Sequence, residues 1–507
     1  MEVVVSVANV RKNKRPHQPC AIPETDPRFE DRRKAAEQDE TALTVDRQVD
    51  AMDHSPLDVL LKGVGSPSYD PVLMLKMVLY MILQGHCSPA RWHAEAKRNL
   101  CVQWLGKGIT PCRRTWYNFR NRFGAVVETL HAKFVETAIN EGHVTAETVA
   151  QDGTSIAACA SRHKMVNQKV LSERIALLSS IVAGGQSSAA PLPSWVPSTE
   201  IGRLQLSKRM TEASEILAGR ISQNAAKKAG KRKNPAKIQV SITDPIAPLG
   251  RDKLKVFRPL YTLQFMTDAT TGMIISFSCR PEATDAGTLI PMIDQVRRTV
   301  GERLKEVMAD ASYCSIFDLK ACQERSIELL APVQSNSFTE KKTAHRTNGK
   351  VTRDQFRFDA DGNYYVCPQN HCLKYLGREQ KNRHSDQMIM EYRYGCDVVH
   401  CSNCPIAAQC LGPQAKRRMI KRLDGQEFLD AQRKKMADPD VKKKFAKRGQ
   451  SVELGFADAK HHRGFQRFHG RGPAVAHAES GLVVLAHTIL CLQRLQQKAK
   501  NAAITAI

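Results

Sequence analysis

Apolar residues recur at helical spacing from Asp70 to Gly142, with Leu73, Met77, Tyr80 and Met81 on one stripe. Asp70-Pro71 supplies an N-cap and a proline at the first helical position. Ser88-Pro89 opens a second helix through Trp92 and Ala96. Thr110-Pro111 opens a third, in which Trp116, Phe119 and Phe123 share a face. The pattern then changes. Glu147 to Ala158 predicts a strand interrupted by one acid and one glycine. Residues 166–232 return to helical spacing, split by a Pro/Ser-rich linker at 187–198. Strand-type segments follow at 238–242, 261–266 and 273–278. A helix is expected over about 285–300, a strand ending at Asp310, a helix near 316–324 and a strand at 327–333. Strands alternating with helices predict a mixed α/β sheet. Helical spacing resumes at Val452 to His461 and Val475 to Leu495.

A chain of 507 residues is long enough for several domains. Residues 1–55 mix acidic and basic side chains and read as a loosely ordered arm. A helical domain covers 56–142, and an α/β core covers 143–334 with a helical insert at about 160–235. Residues 335–450 read as a polar, cysteine-rich and then basic insertion, and 451–507 as the closing helices of the core.

Charge narrows the partners. The 76 Lys and Arg exceed the 51 Asp and Glu by 25, an excess that suits a polyanion, and nucleic acid is the common one. A membrane is not expected, because no run approaches the ~18 apolar residues of a span. The N-terminal apolar stretch is short and precedes its basic residues, unlike a signal peptide. The expectation is a soluble, cytoplasmic chain. Arg113, Arg114 and Arg120 lie off the aromatic face of the third helix, as in a helix that reads DNA; solvated arginines on a plain bundle fit the same pattern. From Pro413 to Arg448 there are 13 Lys and Arg against 5 Asp and Glu. Such runs hold phosphates without reading sequence.

Three acids stand out. Asp152 interrupts an apolar strand, Asp310 ends another, and Glu453 opens a helix in SVELGFADAKHHRGF. An acid in an apolar strand is costly to bury unless it is paired or binds metal. Glu453, Phe456, Ala457 and Lys460 share one helix face, which sets a carboxylate and an ammonium in line. Taken alone, Glu453 near a helix start also suits a cap.

The blocks QDGTSI, MADASY and VELGFADAKHHRGFQRFHGRG resemble the D, D and E motifs of bacterial insertion-sequence DDE transposases. They resemble the branch with a helical N-terminal domain and a cysteine-bearing insertion before the glutamate. DPVLMLKMVLYMILQGHCSPARWHAEAKRNLCVQWL and YTLQFMTDATTGMIISFSCRPEATDAGTLIPMIDQV are similar to further blocks of that branch, so the likeness runs from about 55 to 495. It implies an RNase H-like core in which Asp152, Asp310 and Glu453 bind two Mg²⁺ (or Mn²⁺) ions and catalyse cleavage and joining of DNA. Lys460 and Arg463 are expected to contact DNA beside the cut. Element ends and target DNA are the implied partners, with a homodimer in the synaptic complex.

Six of the fifteen cysteines fall between Cys367 and Cys410, and their spacing is compatible with a structural Zn²⁺. The family pattern favours Cys367, Cys401, Cys404 and Cys410 and leaves Cys372 and Cys396 spare. Reduced thiols without metal fit the spacing as well. Two other readings stay open: a nuclease on the same core that does not join strands, and a non-catalytic zinc-containing DNA-binding protein.

Overall fold

The computed structural model describes residues 25–61, 68–183, 192–227, 229–252, 254–282, 284–334, 351–383 and 387–505. Its contacts divide the chain into two compact units. The first holds the chain up to Asp285 with Met292–Lys305 and Lys447–Ile507; the second holds Ala286–Pro291 with Glu306–Ala446.

In the first unit, helices α1 (Pro27–Glu37) and α2 (Glu40–Asp50) occupy the stretch expected to be a loose arm. Their caps explain the difference. Asp26 and Asp39 each accept backbone N–H bonds at a helix start, and Val45 and Val49 are fully buried. Mixed charges hid a narrow apolar stripe. Residues 1–24 of that stretch lie outside the described residues. Helices α3 (Pro71–Leu83) and α4 (Pro89–Glu95) begin where their Asp-Pro and Ser-Pro signals place them. A short α5 (Leu100–Leu105) precedes α6 (Arg113–Phe123), which starts after Pro111 rather than at it. The Pro111 carbonyl instead accepts from the Trp116 ring N–H at 3.1 Å. Trp116, Phe119 and Phe123 are buried as expected, and α7 (Val127–Asn140) follows.

Strand β1 (Thr148–Ala157) pairs antiparallel with β5 (Phe257–Asp268), which pairs in turn with β6 (Ile274–Arg280). The antiparallel pair β2–β3 (Met165–Val166, Val240–Ser241) closes against α8 (Gln168–Val182) and α9 (Glu200–Ala225). Leu171, Leu178, Met210, Ala213, Leu217 and Val240 give this insert its own apolar cluster. Strand β4 (Leu249–Arg251) pairs with the start of β5. Helix α10 (Leu289–Val300) follows the sheet in the chain.

In the second unit β7 (Glu306–Met308) and β8 (Glu328–Leu330) pair in parallel, joined through α11 (Ile316–Glu324). With antiparallel strands in the first unit and a parallel pair joined by a helix in the second, the chain is mixed α/β, consistent with an RNase H-like core. The expected polar insertion carries a five-stranded sheet, in which β9 (Arg357–Asp359), β10 (Tyr364–Val366), β11 (Cys372–Arg383), β12 (Gln387–Gly395) and β13 (Met419–Leu423) lie in chain order. Its core is aromatic: Phe356, Tyr365 and Tyr394 are buried with Leu373. Aromatic rings spread among charged residues escape a reading based on aliphatic periodicity. Two short helices, α12 (Val398–Ser402) and α13 (Ala407–Cys410), carry Cys401 and Cys410, with Cys404 between them. The basic run forms α14 (Gln426–Ala437) and α15 (Pro439–Ala446). Part of its charge is spent within the unit, with Lys444 on Glu306 at 2.7 Å and Lys435 on Glu328 at 3.2 Å.

The first unit closes with α16 (Arg448–Ala457), a π-helical turn at Asp458–His462, and the 33-residue α17 (Pro473–Thr505). An 18-residue window of α17 has a mean hydropathy of 1.6, enough by length and composition for a span, contrary to the sequence expectation. Within the fold 78% of that window is buried, as befits a core helix.

Arg120, expected to meet DNA, faces this core helix instead. Its guanidinium donates to Glu479 at 2.9 Å, and the two side chains are 5% and 2% exposed. Burial pushes the Glu479 carboxyl up to about 7, against the opposing pull of the His469 backbone N–H and Arg120. A raised acid binds its proton more tightly when folded. Its contribution is therefore present below about pH 4.5 and lost as pH rises through about 7. Arg120→Ala leaves a carboxyl buried without its cation and is expected to lower the unfolding free energy by about 3–5 kcal/mol in denaturant titrations. A loss below 1 kcal/mol would show that the pair contributes little.

Candidate functional site

Strand β1 places Asp152 opposite Phe265 of β5. The Asp152 side chain is 30% exposed, so its charge is not fully desolvated. It accepts from the Gly153 N–H at 2.8 Å and stands 3.5 Å from the Arg448 guanidinium. Arg448 is the first residue of α16, and it also reaches the Gln151 carbonyl at 3.5 Å. The sequence reading missed it, because it closes a basic run that looked uniform. The only signal was its distance of five residues before Glu453.

The π-helical turn that continues α16 is tied to β1 as well. The Lys460 ammonium donates to the Thr154 hydroxyl at 2.6 Å and to the Ser155 carbonyl at 3.1 Å. Between these ties Phe456 stacks on Phe265, with centroids 4.5 Å apart and an 11° angle between the rings. Gly455 also faces this contact, and a Cβ there would meet Ile274 at 3.4 Å and Phe265 at 3.5 Å, ordinary packing distances. Glu453 lies one turn before Phe456, on the helix fastened to the strand of Asp152. Because α16 begins at Arg448, Glu453 is mid-helix and exposed, which removes the capping role.

Asp310 follows β7 in the second unit and is half-buried. Its carboxylate accepts from the Ser312 N–H at 2.7 Å and hydroxyl at 2.5 Å, capping a single turn at Ala311–Tyr313. Among the described residues no group of three or more His, Cys, Asp or Glu side chains is arranged to hold a metal ion.

Lys460 and Arg463, expected to touch DNA, are both engaged within the chain. Arg463 pairs with Asp458 at 2.9 Å and donates to the Leu83 carbonyl. Burial raises Asp458, but His487 and Arg463 outweigh it and hold the carboxyl below its ordinary value. Of the arginines on α6, Arg113 and Arg114 are exposed and Arg120 is not. Three other acids of the first unit have structural uses: Asp244 accepts from the Tyr261 hydroxyl at 2.9 Å, Asp268 caps the turn at Thr270–Thr271, and Asp285 accepts from Gln264 at 2.6 Å.

In the second unit Cys396 and Cys401 are buried together in the aromatic core, with Cys367 and Cys410 packed against it. Burial, reinforced by Cys401, pushes the Cys396 thiol up to about 12. Cys396, expected to be spare, thus belongs to the cluster, whereas Cys372 is exposed on β11. The Cys401 sulfur accepts from the Arg418 N–H at 3.4 Å and the Cys367 sulfur from the His371 N–H at 3.3 Å.

Lys460→Met keeps the aliphatic stem and removes the donor. It is expected to cost about 1–3 kcal/mol of unfolding free energy and to speed amide exchange over Arg448–Ala457. Unchanged exchange would show that the helix is held by its aromatic contacts alone.

Two family models match the chain: a Transposase domain (DUF772) at residues 30–122 and a Transposase DDE domain at residues 366–492. No curated protein and no solved structure matches it. The first match spans α1 to α6, including the two helices unforeseen in the sequence; the second spans the cysteine cluster, Glu453 and Lys460. These two matches support a reading of the chain as an insertion-sequence DDE transposase.

Proposed function

We propose that the protein binds the terminal inverted repeats of its own element, cuts the DNA ends and joins the 3′-OH ends to target DNA, with Asp152, Asp310 and Glu453 as its catalytic acids. The observation that carries this reading is the fastening of the Glu453 helix to the Asp152 strand by Arg448, Phe456 and Lys460. Two carboxylates are thereby fixed on neighbouring elements of one unit, and both remain open to solvent. A merely structural acid pair has no need of that exposure.

The three acids offer only oxygen donors, which suits a hard divalent cation such as Mg²⁺ or Mn²⁺. Asp152, Asp310 and Glu453 would hold such ions, whose chemistry would be activation of an attacking oxygen and stabilisation of a leaving one. The chain's own part is positional. Arg448 offsets the Asp152 charge, and Lys460 holds the strand against the helix so that Glu453 stays in place. Arg113 and Arg114 supply exposed cations on a helix of the matched N-terminal domain, where they would meet DNA. Synapsis of two ends calls for a homodimer.

Asp310→Ala is expected to abolish Mg²⁺-dependent strand cleavage while leaving DNA affinity nearly unchanged; cleavage at the wild-type rate would overturn the assignment. The thiol cluster supports a structural Zn²⁺ drawn from Cys367, Cys396, Cys401, Cys404 and Cys410, since thiolates favour zinc. Elemental analysis of the purified protein should find about one zinc per chain, lost in Cys401→Ser. Less than about half a zinc per chain would remove the metal from the proposal.

A further inference from the structure

Beyond the end of β1 lies a cavity of about 290 Å³ lined by Ser161, Arg162, His163, Arg258 and Arg467. Three guanidiniums and an imidazole around one small space are unusual, because like charges repel unless an anion joins them. One already has its counter-charge: Arg258 stands 2.8 Å from Asp252. Arg162 and Arg467 have no ion-pair partner among the described residues, and both are exposed. We infer that this cavity is a binding site for a phosphate group of the DNA strand that runs away from the cut, a reading that rests on the DNA function proposed above.

The site is built from fixed parts. Phe465 and Phe468 are fully buried, and Phe468 stands edge-on to Tyr261 at 5.5 Å. Two backbone bonds, Ala157 N–H to the Gln466 carbonyl at 3.2 Å and Phe468 N–H to the Ala157 carbonyl at 2.9 Å, add this loop to β1 as a short parallel bridge. Arg467 projects between the two anchors. Arg258 comes from β5, beside its pairing with β4. Arg162 and His163 sit on a single turn capped by Ser161, with the Arg162 guanidinium donating to the His163 ring at 3.1 Å. Guanidinium forks from three separate elements converge, which is the geometry that suits phosphate oxygens.

Size and place select the ligand. At about 290 Å³ the cavity lies at or below the ~300 Å³ lower end of small-molecule pockets, so it admits a phosphate with part of a sugar rather than a whole nucleotide. Ala157 is five residues beyond Asp152, or about 16 Å at ~3.3 Å per strand residue. That is on the order of five base steps at ~3.4 Å each, a distance at which backbone contact positions a duplex without reading it.

Arg162→Gln with Arg467→Gln tests this, since both positions are exposed and the double variant should fold; its melting temperature checks that. Fluorescence anisotropy with a labelled DNA duplex is measured across salt concentrations. The expected result is weaker binding and a log–log salt slope shallower by about 0.9, the loss of one phosphate contact. A folded variant with unchanged slope and affinity would overturn the site. Pyrophosphate titration by calorimetry forms the second arm. If the wild type bound no duplex but bound pyrophosphate, and the variant did not, the cavity would hold a free phosphate compound and both the DNA assignment and the DNA reading would fall. If the wild type bound duplex normally while the variant lost neither ligand, only the cavity proposal would fall.

Discussion

An apolar helix long enough to cross a bilayer stays in a globular fold only if other elements cover it, and α17 sets that condition for the first unit. Residues from Ala476 to Leu492 are almost continuously buried, so no single partner face suffices. Helices of the N-terminal domain and the antiparallel strands pack around it together. Arg120 and Glu479 add a polar contact inside this wall, where a misplaced partner would leave a bare charge. The matched N-terminal domain and the sheet that bears Asp152 are therefore parts of one packed unit, not modules on a tether.

That packing also decides which cations can meet DNA. An excess of 25 positive charges looks uniform along the chain, yet many of its members are consumed internally. Arg120 and Arg463 answer buried or half-buried acids, Lys444 and Lys435 hold β7 and β8, and Lys460 fastens a helix to a strand. Cations without acidic partners among the described residues, such as Arg162 and Arg467, are the ones left to face a polyanion. Internal pairing sorts the basic residues into structural and available, and the lack of an acidic partner is the criterion rather than local charge density.

Much of the framework was legible beforehand because it depends on neighbours in sequence. The Asp-Pro and Ser-Pro starts of α3 and α4, the aromatic face of α6 and the strand around Asp152 each follow from a cap, a period or a run. The helices at 27–50 escaped, since their apolar stripe is thin and their caps are common polar residues. The five-stranded sheet at 357–423 escaped for another reason. Its core is made of rings on strands whose other residues are charged, and no window of aliphatic residues announces it.

The sequence by itself determined the chemistry available: three acids in recognisable contexts, a cluster of thiols, and a surplus of Lys and Arg. Residue identity and local spacing suffice for that. Only the tertiary structure decided how those groups are used. It showed that Glu453 stands mid-helix and not at a cap, that Arg448 lies beside Asp152, and that Arg120 is turned inward. It also placed Arg162, Arg258 and Arg467, separated by up to about three hundred residues, around one cavity. The physical reason is that a side chain's partner and its exposure depend on surfaces contributed by distant segments, which come together only when the apolar core closes.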